Sequence, residues 1–270
     1  MYPYDIIPGV DLYAICFLFA LCAALLAFRV IGDKVGLNAK VYNMCIISGI
    51  FAIVGGYFGS VLFQAFYDYL ETGVFAPKSS GMTFYGGLII GALTFIAVYF
   101  VVFALADKNN LRGKNFFFVS DIAAPAIALA HAIGRIGCLF AGCCHGRVTD
   151  AWYGIYTVNL DAKTVPIPLF ESLYLFLLFG VLAGRVTHKK TYCLSLYLSA
   201  YAVWRFFIEY LRDDDRGSSP VSFLTPSQLT AIVLFAVAAA LYFVMKYWWY
   251  KSHPVVPTEE KTDSENENEA

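Results

Sequence analysis

The chain has 270 residues, of which 59% are hydrophobic and 14% are charged, and its formal net charge is −1. Soluble proteins typically hold about 45–50% apolar and about 25% charged residues, so this composition excludes an ordinary soluble enzyme. It favours a polytopic helical membrane protein.

Apolar runs of about twenty residues recur along the chain, and each is long enough to cross a hydrocarbon core of roughly 30 Å as a helix. They predict an all-α protein, a bundle of about seven transmembrane helices within residues 1–252, at 11–31, 43–70, 82–105, 117–142, 166–186, 193–211 and 226–250. The second run is long enough to be tilted or broken at Gly55-Gly56. The first has no basic segment before it, so we expect it to be retained rather than cleaved as a signal peptide. The polar, acidic segment 253–270 predicts a disordered tail.

The basic residues between the predicted spans indicate the orientation. With the N-terminus outside, twelve of the nineteen lysines and arginines fall in inner segments and five in outer segments, while Arg135 and Arg205 lie inside spans. The positive-inside rule therefore predicts an outside N-terminus and a cytoplasmic C-terminus.

In that orientation, the ionisable residues that enter the hydrocarbon all fall in its outer half. Arg135 lies near the outer end of the fourth span and Glu171 one turn into the fifth. The sixth span ends outward, and its Arg205, Glu209 and Arg212 share one helix face because they are spaced i, i+4 and i+7. A charge inside a membrane costs several kcal/mol unless it is paired or lines a polar cavity.

These charges allow two interpretations. They could be structural ion pairs that hold helices together, or Arg135, Arg205 and Arg147 could hold an anion in one cavity. The guanidinium group suits phosphate because its planar fork makes paired hydrogen bonds and keeps its proton. At this depth the natural anion is a lipid headgroup, and we favour that interpretation.

Glycines predict two interruptions of helical backbone beside the same cavity. Gly142 and Gly146 permit a tight turn after the fourth span, and Gly81 with Tyr85-Gly86-Gly87 permits a second break at the third. Such backbone is tolerated at membrane depth only where protein or a water-filled cavity covers it. Small residues four apart in the fourth span predict close helix packing, in one series of Ala126, Ala130 and Gly134 and in a second of Gly137 and Ala141.

Cys138, Cys143, Cys144 and His145 form a cluster with three interpretations. Their types suit zinc, but the spacing matches no common structural zinc pattern. An oxidising outer face also allows a disulfide, from Cys138 to either later cysteine or between the adjacent pair. We favour small residues that pack a tight turn, so neither a metal nor another cofactor is expected. His145 fits a polar lining residue and a catalytic base equally well.

Four blocks, in order and suitably separated, resemble the phosphatidylglycerol–prolipoprotein diacylglyceryl transferase family. They are GMTFYGGLIIG (81–91), DIAAPAIALAHAIGRIGCLFAGCCHGR (121–147), VPIPLFES (165–172), and RFFIEYLRDDD (205–215) with TPSQL (225–229). The resemblance implies an enzyme at the outer face of the bacterial cytoplasmic membrane. It implies transfer of the diacylglyceryl unit of phosphatidylglycerol to the lipobox cysteine thiol of a signal-peptide-bearing prolipoprotein. The expected partners are therefore membrane lipid and that protein, with no nucleic acid.

The resemblance also implies the site. Catalytic roles fall to Tyr85, Arg135, Arg205 and His145, and substrate contacts to Gly86, Gly87, Gly134, Gly137, Gly142, Arg147, Glu171 and Glu209. The chain departs from the family pattern at Tyr85, where histidine is usual, at Cys138 and Ala141, where asparagine is usual, and at Cys143, where glutamate is usual. The anion-holding residues are thus retained and the proton-handling ones replaced. Alternatives are a related transferase with another acceptor, or a lipid-binding or transport protein without chemistry.

Overall fold

The computed structural model describes residues 4–77, 81, 83–101, 104, 111–212 and 223–252. Its helices are α1 (Leu12–Lys34), α2 (Ala39–Thr72), α3 (Phe84–Phe100), α4 (Leu111–Ala141), α5 (Ile167–Thr187), α6 (Cys193–Ile208), α7 (Pro226–Phe243) and α8 (Tyr250–Ser252). A π-helical segment, Val244–Trp249, joins the last two, and 3-10 turns cover Val158–Leu160 and Glu209–Leu211. Two antiparallel hairpins pair β1 (Asp5–Ile7) with β2 (Val10–Asp11) and β3 (Ile155–Thr157) with β4 (Ala162–Thr164).

The predicted all-α membrane architecture is confirmed. Within the described residues, five helices are long and apolar enough to cross a membrane, at Leu12–Lys34, Ala39–Leu70, Phe116–Ala141, Ile167–Thr187 and Pro226–Trp249. A shorter apolar helical segment covers Gly86–Phe100. Each of the seven predicted spans corresponds to one helix, α1 to α7. The tail 253–270 lies outside the described residues.

The prediction of a backbone break at Tyr85-Gly86-Gly87 was wrong, because α3 already begins at Phe84 and these residues are helical. Of the two alternatives for the second span, tilted or broken, the break is excluded, since α2 continues through Gly55-Gly56. The glycines are used for close packing instead. A Cβ on Gly87 would lie 3.2 Å from the Gly56 carbonyl oxygen, and a Cβ on Gly91 3.1 Å from that of Ala52. Without glycine, α2 and α3 could not approach this closely.

The chain divides into two compact units, Met1–Gly36 with Phe117–Ala270, and Leu37–Phe116. The second unit contains the α2–α3 pair. The first unit contains α1, α4 from Phe117 onward, α5 to α8, and every charged residue of the predicted anion site. The prediction that residues 1–252 form one bundle stays a prediction.

In the first unit, Asp121 joins α4 to the start of α6. Its carboxylate accepts hydrogen bonds from the backbone N–H groups of Tyr192 and Leu194, at 2.9 and 3.0 Å, and from the Tyr250 hydroxyl at 2.7 Å. These bonds satisfy donors at the beginning of α6 that have no partner within the helix. The Ser195 hydroxyl donates to the Ala238 carbonyl at 2.8 Å and joins α6 to α7. The beginning of α6 is therefore held in place, and the site residues follow toward its other end.

Candidate functional site

Arg135 is the centre of a contact between three helices. Its Nη2 lies 3.1 Å from Glu171 Oε1 on α5 and donates to the Tyr201 hydroxyl on α6 at 3.1 Å. Tyr201 in turn donates to the same Glu171 oxygen at 2.8 Å. Glu171 is fully buried, and such a charge is tolerated in a membrane-spanning helix because it is paired and hydrogen-bonded.

Arg205 is the centre of a second contact at the end of α6. Its Nη2 lies 2.8 Å from Glu209 Oε2 and donates to the Ser227 hydroxyl on α7 at 2.8 Å. The other Glu209 oxygen accepts from the Thr225 hydroxyl at 3.2 Å, and Arg212 Nε lies 3.7 Å from Oε2. The predicted bridging of two arginines by one glutamate is therefore present, and the chain ahead of α7 contributes to it.

The two contacts are connected through one face of α6. Tyr197, Tyr201, Arg205 and Glu209 follow one another at intervals of four residues, which places them in one row along the helix and its final turn. The Tyr197 hydroxyl also lies 3.0 Å from His131 Nδ1. The His131 ring contacts the Tyr201 ring edge-on, with 4.6 Å between the ring centroids. Tyr201 thus lies one turn from Arg205 while touching Arg135.

Several buried polar atoms of this cluster lack a hydrogen-bond partner within the described part of the chain. They include Arg135 Nε and Arg205 Nη1, which are donors, and Glu171 Oε2, which is an acceptor. Buried polar groups are nearly always satisfied, so each such atom needs an explanation. Arg135 Nε and Arg205 Nη1 thus leave two guanidinium donors without a partner among the described residues, which suits an anion.

The turn after α4 lies beside this cluster. Gly142 takes a left-handed φ of 69°, and Gly146 forms a β-bridge with Arg212. A Cβ on Gly146 would lie 2.5 Å from the Leu211 carbonyl oxygen, so only glycine fits this bridge. The next residue, Arg147, is exposed, and its Nη2 reaches the Tyr210 carbonyl at 3.5 Å. The turn therefore places Arg147 beside the end of α6 but at the surface.

Three further predicted site residues, Gly134, Gly137 and His145, differ in what surrounds them. A Cβ on Gly134 would meet no atom within 4 Å, so space is open beside Arg135. A Cβ on Gly137 would lie 3.1 Å from Cys16 Cβ, so this glycine packs against α1. His145 Nδ1 lies 3.1 Å from the Gly146 carbonyl oxygen. That contact with the neighbouring backbone favours neither of the two roles considered for His145.

The sulfur atoms of Cys138, Cys143 and Cys144 all lie within 4.8 Å of one another. All seven cysteines of the chain lie in described segments, and none of them forms a disulfide. Hydrogen bonds with Cys138 and Cys143 lower the pKa of the Cys144 thiol, and the positive charges of Arg212 and Arg135 lower it further, against the opposite effect of burial. The charges of the two arginines therefore act on the Cys144 thiol.

Tyr85, Gly86 and Gly87 belong to the other compact unit. The side chain of Tyr85 lies outside the described residues. Gly86 and Gly87 face α2, where a Cβ on Gly86 would lie 2.7 Å from the Gly59 carbonyl oxygen. The roles predicted for these three residues stay predictions.

Sequence reasoning missed four polar residues of the site: Tyr197, Tyr201, Thr225 and Ser227. A signal for the tyrosines was present, since they continue the four-residue spacing of Arg205 and Glu209 toward the N-terminus of α6. Ser227 follows Thr225 in the TPSQL block, where Thr225 and Gln228 form a capping box at the start of α7. Only the fold shows that Thr225 and Ser227 also contact Glu209 and Arg205.

The chain is similar in sequence to proteins of one known family. The model of the prolipoprotein diacylglyceryl transferase family matches residues 5–244. A Clostridium perfringens protein named phosphatidylglycerol–prolipoprotein diacylglyceryl transferase 2 is 32% identical over 250 residues, which cover 88% of this chain and 93% of that protein. A Clostridium tetani protein with the same transferase name is 30% identical, covering 75% of this chain and 78% of its own length. A Legionella pneumophila transferase is 30% identical over 226 residues, or 79% of this chain and 80% of that protein.

Proposed function

The chain belongs to the prolipoprotein diacylglyceryl transferase family, and on that premise we propose that it lipidates prolipoproteins. The donor is phosphatidylglycerol and the acceptor is the lipobox cysteine thiol. The acceptor sulfur forms a bond to the glyceryl carbon, the bond from that carbon to the phosphate oxygen breaks, and its electron pair leaves with glycerol-1-phosphate. The thiol proton must be lost, and the departing phosphate must be stabilised.

The main observation behind this proposal is that Arg135 Nε and Arg205 Nη1 have no hydrogen-bond partner among the described residues. Two guanidinium groups, each with a buried N–H that lacks a partner within the described residues, are suited to the oxygens of one phosphodiester. Glu171 and Glu209 each pair with one of these arginines and hold its planar fork in a fixed direction. Stabilisation of the leaving phosphate is therefore the role of Arg135 and Arg205.

The other predicted residues take supporting roles. Gly134 leaves room beside Arg135 for the headgroup, and Gly137 and Gly142 shape the end of α4 that borders it. Arg147, at the surface, attracts the anionic lipid as it enters. Gly86 and Gly87 let α3 pack closely against α2, and the role proposed for the Tyr85 phenol is to orient the lipid phosphate. His145 lies at the aqueous rim.

The protein is a multi-pass membrane protein. We place it in the bacterial cytoplasmic membrane with an outside N-terminus and a cytoplasmic C-terminus, because its basic residues are distributed twelve to five in favour of that orientation. The arginine site then opens on the outer leaflet, where exported prolipoproteins present their lipobox.

The direct test uses purified full-length protein, phosphatidylglycerol labelled in its acyl chains, and a lipobox peptide. We expect labelled thioether on the peptide and release of glycerol phosphate in equal amounts. A peptide with serine in place of the cysteine is the control and should stay unlabelled. Release of glycerol phosphate without labelling of the peptide would indicate another acceptor. If neither glycerol phosphate nor labelled peptide forms, the proposal is contradicted.

A further inference from the structure

Three thiols beside Arg135 have a geometry that their sequence spacing does not suggest. Cys138 lies in the last turn of α4, and the chain then turns so that the sulfurs of Cys143 and Cys144 come within 4.8 Å of it and of each other. Cys144 achieves this in a left-handed conformation with a φ of 60°, which is unfavourable for a residue with a Cβ. That conformation directs two adjacent side chains to the same point.

We propose that Cys138, Cys143 and Cys144 bind one Zn²⁺ ion, and that the acceptor thiol of the proposed lipidation reaction binds this ion as its fourth ligand. The inference rests on the proposed function for the identity of the acceptor. It departs from the expectation, based on sequence alone, that no metal is present.

The distances support three sulfur ligands. Zinc–sulfur bonds of about 2.3 Å in a tetrahedron place the sulfurs about 3.8 Å apart, so each sulfur of a triangle with 4.8 Å sides must move inward by at most about 0.6 Å. Thiolates are soft ligands that select zinc over hard cations. A site with three protein ligands keeps its fourth position for water or substrate, as catalytic zinc sites do.

The surroundings suit the charge of such a site. Three thiolates and Zn²⁺ sum to −1, and the positive charges of Arg212 and Arg135 act on Cys144. Cys143 is exposed, which gives an acceptor from outside the protein a route to the ion. Arg135 lies one helical turn before Cys138, so a zinc-bound acceptor would lie next to the proposed phosphate site.

The zinc site would supply a step that the arginine site lacks. Both buried carboxylates of that site, Glu171 and Glu209, pair with arginines and hold them in place. A thiol that binds a metal is deprotonated outright. The acceptor would release its proton to solvent on binding, and its sulfur would then attack the glyceryl carbon while the phosphate leaves with the electron pair. The product thioether is neutral and a weaker ligand than a thiolate, so it can dissociate.

The test begins with the metal content of full-length protein purified under reducing conditions and loaded with Zn²⁺. We expect about one zinc per chain. Cys138→Ser, Cys143→Ser and Cys144→Ser should each lose it, whereas Cys22→Ser, at an exposed cysteine of α1, should retain it. No stoichiometric zinc in the unaltered protein, or loss in the Cys22 variant as well, would overturn the site.

The second measurement concerns the fourth ligand. After replacement of zinc by Co²⁺, the lipobox peptide should shift the d–d absorption bands and raise the sulfur coordination from three to four, whereas the serine peptide should do neither. Removal of the metal should slow peptide lipidation at least about tenfold, and zinc should restore it. Activation of the acceptor thiol by zinc would be refuted if the peptide thiol did not bind the metal. It would also be refuted by full activity without metal. If the peptide thiol binds the metal but no thioether forms with phosphatidylglycerol, the proposed function fails while the zinc site stands.

Discussion

The Tyr201 hydroxyl donates a hydrogen bond to Glu171 Oε1 at 2.8 Å. The same hydroxyl accepts from Arg135 Nη2 at 3.1 Å, so the phenol completes a triangle with the ion pair. Two contacts fix the guanidinium plane more firmly than one ion pair would. Tyr201 is therefore a positioning residue for Arg135.

Tyr201→Phe tests this role, because it keeps the ring and removes only the hydroxyl. We expect lipidation to slow roughly tenfold, equivalent to about 1.4 kcal/mol of transition-state stabilisation, because Arg135 loses one of its two fixed partners. The rate should be measured at saturating peptide and lipid. Tyr174→Phe is the matched control, since it loses a hydrogen bond of 2.8 Å to the Ala200 carbonyl without touching Arg135, and an equal loss in both variants would refute the assigned role.

Arg135→Lys and Arg205→Lys test the phosphate contact. Lysine keeps the charge but cannot reproduce the planar pair of donors, so each variant should lose roughly 100-fold in turnover. The rate of glycerol phosphate release measures this. Arg29→Lys, at an exposed ion pair with Asp33, should behave like the unaltered protein. Near-normal turnover in both the Arg135 and the Arg205 variant would show that these arginines are structural.

Gly146→Ala tests the bridge between the turn after α4 and the end of α6. The added Cβ would lie 2.5 Å from the Leu211 carbonyl oxygen and 2.9 Å from Val165 Cβ, so the bridge to Arg212 must shift. We expect a destabilisation of about 1–3 kcal/mol, measured as a lower thermal midpoint, together with lower activity. Gly180→Ala in α5, where a Cβ meets no atom within 4 Å, should leave both unchanged. Equal midpoints for the two variants would contradict the packing argument.

Tyr85→Phe and His145→Ala test the catalytic roles that the family resemblance implies for these two residues. The Tyr85 variant should bind lipid nearly normally but turn over roughly tenfold more slowly, because only the hydroxyl that orients the phosphate is lost. His145→Ala should have a smaller effect, because we propose that His145 lies at the aqueous rim rather than beside the phosphate. Lipid binding and single-turnover rates separate the two effects. The reverse ranking would move the reacting atoms outward, towards His145.

The sequence by itself determined the helices. Seven apolar runs predicted α1 to α7, because a segment in hydrocarbon must satisfy its backbone polar groups internally and a helix does so within one segment. The spacing of Arg205, Glu209 and Arg212 likewise predicted a shared glutamate, since residues three and four apart are neighbours on any helix. Glycines were less informative, because the same residue type serves a turn at Gly142 and close packing at Gly87.

Only the tertiary structure decided which helices meet. Tyr201 is 66 residues from Arg135 and Ser227 is 22 from Arg205, and no local periodicity relates the members of either pair. The sulfurs of Cys138, Cys143 and Cys144 come together with Cys144 in a left-handed conformation. The sequence spacing of the three cysteines had argued against such a cluster. Local chain geometry depends on neighbouring residues, whereas a site consists of side chains that packing brings together from distant segments.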